Sequence, residues 1–88
     1  MTWWCYIVRC ADDSLYTGIT NDLEKRLDAH NAGVASKYTR VRLPVGLTYV
    51  EEYADRSDAS KREAAIKRLS REAKLGLIRL QIDGPSEM

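Results

Sequence analysis

The sequence predicts a small α+β domain, in which one antiparallel sheet is packed by helices. Two strand-like runs, residues 3–10 and 15–20, lie close together and form a hairpin. A third strand-like run, residues 45–53, comes after a helical segment, and two further helical segments close the chain. The predicted order is therefore β-β-α-β-α-α with a three-stranded sheet, which lacks the long β-α-β alternation of doubly wound folds.

The strands are recognised by their residue types and by the breakers between them. The run WWCYIVRC (3–10) is aromatic and β-branched without a breaker, and LYTGIT (15–20) has the same character. Between them, ADDS (11–14) has turn chemistry. The run VGLTYVEEY (45–53) reads as the third strand.

The first helix is predicted from a change of apolar period after residue 20. Asn21 is the expected N-cap, with Glu24 three residues later as its capping-box partner. Leu23 and Leu27 form an i, i+4 apolar stripe, and Gly33 is expected to close the helix. The following stretch, residues 34–44, is basic and is expected to be a loop.

Two C-terminal helices are predicted from helical spacing. The first runs from Asp58 to about Leu69, and the second covers residues 71–81. The apolar positions on the expected buried faces are Ala59, Ile66 and Leu69, then Leu75, Ile78 and Ile82.

Length and composition limit the chain to one domain, predicted at residues 1–82, with a disordered tail at 83–88. The 88 residues are 44% apolar and have a net charge of +1, so bulk charge alone indicates no nucleic-acid partner. Cys5 and Cys10 lie on one strand, about 16 Å apart, which is too far for a disulfide. With reduced thiols, no signal peptide and no membrane-spanning run, the expected location is the cytoplasm.

Four side chains of unusual chemistry fall within the first 30 residues. Arg26 and His30 are neighbours at i, i+4 beside the leucine stripe, and are expected at the rim of the buried helix face. Tyr6 and Tyr16 share a face of the sheet only if the hairpin loop has an odd number of residues or a bulge. A two-residue loop would place the phenols on opposite faces. The sequence leaves both arrangements open.

The order of these residues resembles the GIY-YIG nuclease superfamily, and in particular its small stand-alone branch. CYI is followed ten residues later by YTG, and the next helix supplies an arginine and a histidine, while DRSDASKREAAIKRL supplies a glutamate. The resemblance extends from about residue 4 to about residue 80. The matching residues are Tyr6, Tyr16, Gly18, Arg26, His30 and Glu63.

The resemblance implies a GIY-YIG fold and a divalent-metal-dependent endonuclease that hydrolyses DNA phosphodiesters, with a role in repair or recombination. Tyr6 is then the general base, Tyr16 its partner and Arg26 the phosphate stabiliser. His30 is auxiliary, and Glu63 is the ligand of Mg²⁺ or Mn²⁺. These assignments are chemically reasonable, because a guanidinium suits phosphate and a carboxylate suits a hard cation.

A DNA-binding surface is predicted from local clustering of cations. Residues 56–79 contain eight lysines and arginines but only three acidic residues, and the 34–44 stretch is also basic. Such side chains contact the phosphate backbone and give weak sequence preference. A protein partner that supplies targeting is compatible with so small a domain. The predicted nucleic-acid-binding residues are Lys37, Arg40, Arg62, Lys67, Arg68 and Arg71.

Two other functions are compatible with the same sequence. A non-catalytic nucleic-acid-binding module is favoured by the absence of any asparagine after Asn31, since many GIY-YIG members carry one after the glutamate helix. In a protein-interaction domain, the basic helix would dock an acidic partner. Taken singly, the tyrosines are ordinary strand aromatics, and Arg26 with Asp22 or Glu63 with Lys67 are ordinary i, i+4 pairs.

Overall fold

A three-stranded antiparallel sheet of order β2-β1-β3 forms the centre of the protein. The computed structural model describes residues 1–83, with side chains to residue 82. The predicted tail thus lies outside the described residues, apart from the backbone of Asp83. The elements are β1 (Trp3–Arg9), β2 (Leu15–Thr20), α1 (Leu23–Asn31), α2 (Lys37–Arg40), β3 (Gly46–Tyr53), α3 (Arg56–Lys67) and α4 (Arg71–Asp83).

The hairpin loop settles the question of which faces the two tyrosines occupy. Arg9 pairs with Leu15, so the loop consists of residues 10–14, an odd number. Val8 consequently lies opposite Tyr16. Since alternate residues share a face of a strand, Tyr6, Val8 and Tyr16 all project to the same side. The two-residue turn is excluded.

The sheet separates two apolar clusters. Tyr6 and Val8 belong to a cluster packed by α1, whereas Cys5 and Ile7 belong to a cluster packed by α3 and α4. Both cysteines are buried free thiols, as expected. The helix residues that complete the clusters are Leu23 and Leu27 on the α1 side, and Ile66, Leu75, Leu77 and Ile78 on the other.

The start of α1 differs by one residue from the prediction. Asp22, rather than Asn21, has the extended backbone of an N-cap, and its carboxylate accepts a hydrogen bond from the Lys25 amide at 3.0 Å. Asn21 lies one residue outside the helix, so the capping box with Glu24 does not form. At the other end, Gly33 adopts a φ of 80°, which glycine adopts without steric cost.

One helical turn, α2, lies within the stretch that was expected to be a loop. Ser36 caps it, since its hydroxyl accepts from the amides of Tyr38 at 3.0 Å and Thr39 at 3.5 Å. The turn buries Thr39 completely. The predicted element order is otherwise confirmed.

The C-terminal helices bury three of the six predicted positions, and a fourth, Leu75, is half-buried. Ala59, Ile66 and Ile78 are buried, but Leu69 and Ile82 are exposed, which corrects the prediction. Leu69 lies beyond α3, whose C-cap is Arg68, and Ile82 lies in the last turn of α4, past the turn that contacts the core. Among the described helices, none has the length and apolar character needed to cross a bilayer.

Candidate active site

His30 is the centre of a buried hydrogen-bonded chain. Its side chain is only 1% exposed, with Nε2 2.9 Å from the Tyr6 hydroxyl and Nδ1 2.8 Å from Thr39 Oγ1. The rim position expected for His30 is therefore wrong. Tertiary packing is the reason, because α1 packs His30 against Tyr6 of the sheet and α2 covers the residue with Thr39.

The ring of Tyr6 lies directly across Gly18. Tyr6 is 3% exposed, and a Cβ built at Gly18 would come within 2.6 Å of the Tyr6 hydroxyl oxygen. No side chain fits there while the Tyr6–His30 hydrogen bond is kept. This close approach explains the glycine of the YTG motif.

A row of rings extends from His30 to the surface. The Tyr16 ring meets the His30 ring edge-on, with centroids 5.3 Å apart, and Tyr38 stacks on Tyr16 at 5.9 Å. The Arg42 guanidinium lies 3.9 Å from the centre of the Tyr38 ring and pairs with Asp12 at 3.2 Å.

The proximity of Thr39, Tyr38 and Arg42 to the His30 chain was not predicted from the sequence. Their helical turn could have been found from Ser36, because a serine followed by a non-breaking run is an N-cap signal. Their proximity to His30 depends on tertiary contacts.

Arg26 lies beside the chain from the helix side. It is half-buried and borders a narrow crevice with Tyr6, Leu23, Leu27 and Leu47. It also lines a surface pocket of about 340 Å³, formed by residues 20–22, 25, 26 and 29. Within the described part of the chain, its guanidinium has no carboxylate partner, because Asp22 caps the helix instead. The guanidinium is thus available to an anion.

Burial and charge shift the pKa values of both central groups. Burial raises the pKa of the Tyr6 phenol well above 10, with Tyr16 adding to the shift and Arg26 opposing it. Burial and the nearby Arg26 charge lower the pKa of His30 below 6.5. His30 is accordingly neutral at pH 7 and has one ring nitrogen free to accept a proton.

Glu63 comes from the other side of the sheet than the tyrosines, Arg26 and His30. It is on α3, whose Ile66 packs with Cys5 and Ile7 on the face opposite Tyr6. The Glu63 side chain is 22% exposed and pairs with Lys67 at 3.4 Å. Its carboxylate is close enough to contribute to the raised pKa of Tyr6. The structure thus brings Tyr6, Tyr16, Arg26 and His30 together, whereas Glu63 lies within electrostatic range of Tyr6 and, among the described residues, forms no hydrogen bond or ion pair with these four.

Arg62 has an internal partner that sequence reasoning did not identify. Its Nε and one terminal nitrogen donate to the two carboxylate oxygens of Glu51, at 2.8 and 3.0 Å. The hydroxyls of Tyr49 and Tyr53 donate to the same carboxylate. The alternation in YVEEY could have indicated this cluster, because residues 49, 51 and 53 share one face of a strand.

The other predicted DNA contacts lie on the surface. Lys67 is exposed but forms an ion pair with Glu63. Four other cations are exposed and have no ion-pair partner among the described residues. Two of them belong to α2, and two lie at the junction of α3 and α4. These four are Lys37, Arg40, Arg68 and Arg71.

Within residues 1–82 no group of three histidine, cysteine, aspartate or glutamate side chains is placed to hold a metal ion. A protein cage of the zinc type is therefore not formed by the described side chains. Glu63 alone still fits Mg²⁺ or Mn²⁺, since these ions are often held by one carboxylate with water and substrate phosphate.

The fold and the site together define a small domain of the GIY-YIG nuclease superfamily. Two tyrosines from a hairpin share a face with an arginine and a histidine from the following helix, and a glutamate comes from a later helix. The chain belongs to the family described as the GIY-YIG catalytic domain, whose model matches residues 2–75.

Similar proteins are small bacterial chains of the same length class. A UPF0213 protein of Clostridium perfringens is 55% identical over 73 residues, covering 83% of this chain and 78% of that protein. A UPF0213 protein of Staphylococcus saprophyticus is 53% identical over 73 residues, covering 83% of this chain and 89% of that protein.

Two solved structures are similar to this fold. The solution structure of a UPF0213 protein from Bacillus halodurans has a TM-score of 0.59 and 38% identity, covering 91% of this chain and 85% of that one. The solution structure of a protein from E. faecalis has a TM-score of 0.65 and 34% identity, covering 100% of this chain and 94% of that one.

Proposed function

We propose that the protein is a divalent-metal-dependent endonuclease that hydrolyses DNA phosphodiester bonds. The observation that carries this proposal is the contact between the Tyr6 hydroxyl and His30 Nε2 at 2.9 Å, beside an arginine with no carboxylate partner among the described residues. A phenol that can pass its proton to a neutral imidazole is a competent general base. Membership of a nuclease superfamily supports the same chemistry.

In this proposal, proton transfer runs from water through the phenol to the imidazole. His30 Nε2 takes the Tyr6 proton, and the phenolate takes a proton from the attacking water. The water oxygen then bonds to phosphorus while the bond to the leaving sugar oxygen breaks, and that oxygen is protonated from solvent. Tyr16, whose ring packs on His30, helps to hold the imidazole in place.

Arg26 is proposed to bind the scissile phosphate. Its planar guanidinium pairs with two phosphoryl oxygens, and its fixed charge stabilises the charge that develops during hydrolysis. Arg26 also opposes the rise in the Tyr6 pKa, which favours the phenolate. Glu63 would hold Mg²⁺ or Mn²⁺, which supplies charge neutralisation at the phosphate when bound.

The proposed DNA surface consists of the exposed cations Lys37, Arg40, Arg68 and Arg71. Arg62 is not included, because its guanidinium is already bound by Glu51. Lys67 contributes only where a DNA phosphate replaces the Glu63 carboxylate as the partner of its ammonium group. These contacts are to the backbone, so we expect weak sequence preference. A role in repair or recombination, action in the cytoplasm and a protein partner for targeting are parts of the same proposal.

A non-catalytic DNA-binding module is the second candidate. The observation that favours it is the burial of Tyr6, which raises the phenol pKa and opposes formation of the phenolate. In that case the surface cations bind DNA, while the chain from Tyr6 to Thr39 only holds α1 and α2 on the sheet. The fold and the basic surface are the same for both candidates, so only an activity assay separates them.

A cleavage assay with a metal series tests the enzyme directly. Branched, nicked and linear DNA are incubated with Mg²⁺, Mn²⁺ or EDTA, and the products are resolved on a denaturing gel. We expect cleavage that requires the metal. Glu63→Gln should raise the metal concentration for half-maximal cleavage by at least about tenfold, because a charged ligand becomes a neutral amide.

The matched control is Glu72→Gln, a change of the same type at an exposed position of α4. It should leave the metal requirement as it is. Equal metal requirements for all three proteins would remove Glu63 from the mechanism. Salt-sensitive binding with no cleavage under any metal would select the binding module.

Reversing two surface charges should weaken DNA binding without regard to sequence. In Arg68→Glu/Arg71→Glu we expect the affinity at low salt to fall at least about tenfold. The slope of log K against log[salt] should become shallower by about 2, one for each lost phosphate contact. Fluorescence anisotropy over a salt series measures both quantities.

The control for this pair is Arg9→Glu/Arg79→Glu. It changes the net charge equally, at exposed positions outside the proposed DNA surface. If both double variants lose the same affinity, binding depends on net charge alone, and the proposed surface is wrong.

A further inference from the structure

We propose that Thr39 is a positioning residue that holds His30 in the tautomer protonated at Nδ1, so that Nε2 accepts the proton of Tyr6. The catalytic consequence of this inference rests on the proposed function. Its structural part does not, because it concerns which ring nitrogen carries the hydrogen in the resting protein.

The Tyr6 hydroxyl favours one tautomer of His30. It is buried, and its only hydrogen-bond partner among the described residues is His30 Nε2. If Nε2 carried the hydrogen, the phenol would accept that bond, and its own O–H would point at no acceptor. A buried donor without a partner costs about 1–3 kcal/mol. Satisfying the phenol therefore favours an unprotonated Nε2, provided that the hydrogen then carried by Nδ1 also finds an acceptor.

The other ring nitrogen meets the complementary requirement. With Nε2 unprotonated, Nδ1 carries the hydrogen and donates it to Thr39 Oγ1 at 2.8 Å. Thr39 can accept because its own hydroxyl is directed towards the carbonyl oxygen of Ser36, 3.5 Å away. The tautomer of a histidine is set by the hydrogen bond that its other nitrogen makes. The chain then runs in one direction, from Tyr6 through His30 and Thr39 to the Ser36 carbonyl.

The local fold explains why a threonine is held at this position. Ser36 caps α2, and the single turn places residue 39 against α1, where it is completely buried. A hydroxyl buried there has no solvent competitor for the imidazole. Because Thr39 is completely buried, it is out of reach of a substrate phosphate at the surface, and its effect on catalysis acts through His30.

The opposite tautomer would reverse the proton transfer. An Nε2–H would donate to the phenol and leave no lone pair for the phenolic proton, so Tyr6 could not be deprotonated by His30. In the tautomer set by Thr39, His30 Nε2 gains the proton as the Tyr6 O–H bond breaks, and His30 becomes an imidazolium. Its Nδ1–H bond to Thr39 is unchanged in that step.

The test uses NMR, since the chain has a single histidine and its ring signals need no assignment. Two-bond ¹H–¹⁵N spectra of the ¹⁵N-labelled full chain at about pH 8 distinguish a protonated from an unprotonated ring nitrogen. We expect Nδ1 protonated and Nε2 unprotonated in the wild-type protein. A wild-type ring protonated at Nε2 overturns the inference, with no need for any variant or activity.

Two variants extend the test to function. Thr39→Val keeps the shape but removes the acceptor, and should shift the ring towards the Nε2–H tautomer and lower cleavage by about 10²-fold. Thr39→Ser keeps the hydroxyl and should retain both the tautomer and most of the activity. A valine variant that keeps the wild-type tautomer overturns the inference. A wild-type protein that has the expected tautomer but does not cleave DNA overturns the proposed function alone.

Discussion

Tyr6→Phe is expected to lower the rate of DNA cleavage by about 10²–10⁴-fold while leaving the protein folded. General acid–base groups contribute rate factors of this size, and in the proposed mechanism no other side chain takes the proton of the attacking water. The ring of phenylalanine still lies across Gly18, so the core keeps its shape. The loss of the bond to His30 should cost about 1 kcal/mol of stability.

Tyr38→Phe is the matched control for this prediction. It removes a phenolic hydroxyl from the outer end of the same row of rings, at a partly exposed position, and keeps the stack on Tyr16. Single-turnover cleavage rates, with thermal unfolding of each variant, measure the effect. Cleavage by Tyr6→Phe at the rate of Tyr38→Phe would exclude Tyr6 as the general base.

Glu51→Gln is expected to lower the free energy of unfolding by about 2 kcal/mol. The Glu51 carboxylate is 18% exposed, and it accepts two hydrogen bonds from Arg62 and one each from Tyr49 and Tyr53. The glutamine amide has only one acceptor oxygen, and its NH₂ group would face N–H or O–H donors of Arg62 and the two tyrosines. Breaking a fully buried ion pair costs about 3–5 kcal/mol. We expect the smaller loss of about 2 kcal/mol here because the Arg62 side chain is partly exposed to solvent, which weakens the pair.

The same carboxylate gives a pH dependence of known sign. Burial alone would raise the Glu51 pKa, but the hydrogen bonds from Arg62 and the two tyrosines outweigh it, and the pKa is lowered from 4.5. A group whose pKa is lower in the folded state stabilises the protein above its unfolded pKa. That stabilisation is fully present above about pH 4.5 and is lost as the pH falls through the lower folded-state value.

Urea unfolding at pH 7 and between pH 5 and 3 measures both effects. Glu51→Gln should be less stable at neutral pH, and its stability should fall less steeply in acid than that of the wild-type protein. The control is Glu52→Gln, the same change at the next residue of β3, whose side chain is exposed. A loss equal to that of Glu52→Gln would mean that the cluster around Glu51 adds no stability.

The sequence by itself determined the family and the element order apart from α2. The two short strands, the change to a helical period at Leu23 and the β-branched third strand are local patterns, and local patterns depend on neighbours in the chain. The ordered residues Tyr6, Tyr16, Arg26 and His30 were likewise readable without a structure. The sheet, the hairpin and the two long C-terminal helices were therefore predicted correctly.

The tertiary structure decided which of these residues meet. The hairpin loop has an odd number of residues, with Asp13 at a φ of 68°, and this places Tyr6 and Tyr16 on one face of the sheet. The sequence was equally compatible with a loop of two residues, which would have placed them on opposite faces. The burial of His30 depends on α2, a single turn that has little helical period of its own. A four-residue turn is too short to be stable in isolation, so packing against α1 must form it.

The partners of charged side chains were also decided only by the fold. Arg62 looked like one cation of a basic helix, but Glu51, eleven residues away on β3, binds it from across a helix–sheet contact. Ile82 keeps helical spacing with Ile78, yet it is exposed because the last turn of α4 extends past the core. Periodicity states which side chains share a face, whereas the end of a neighbouring element decides how far along that face the burial continues.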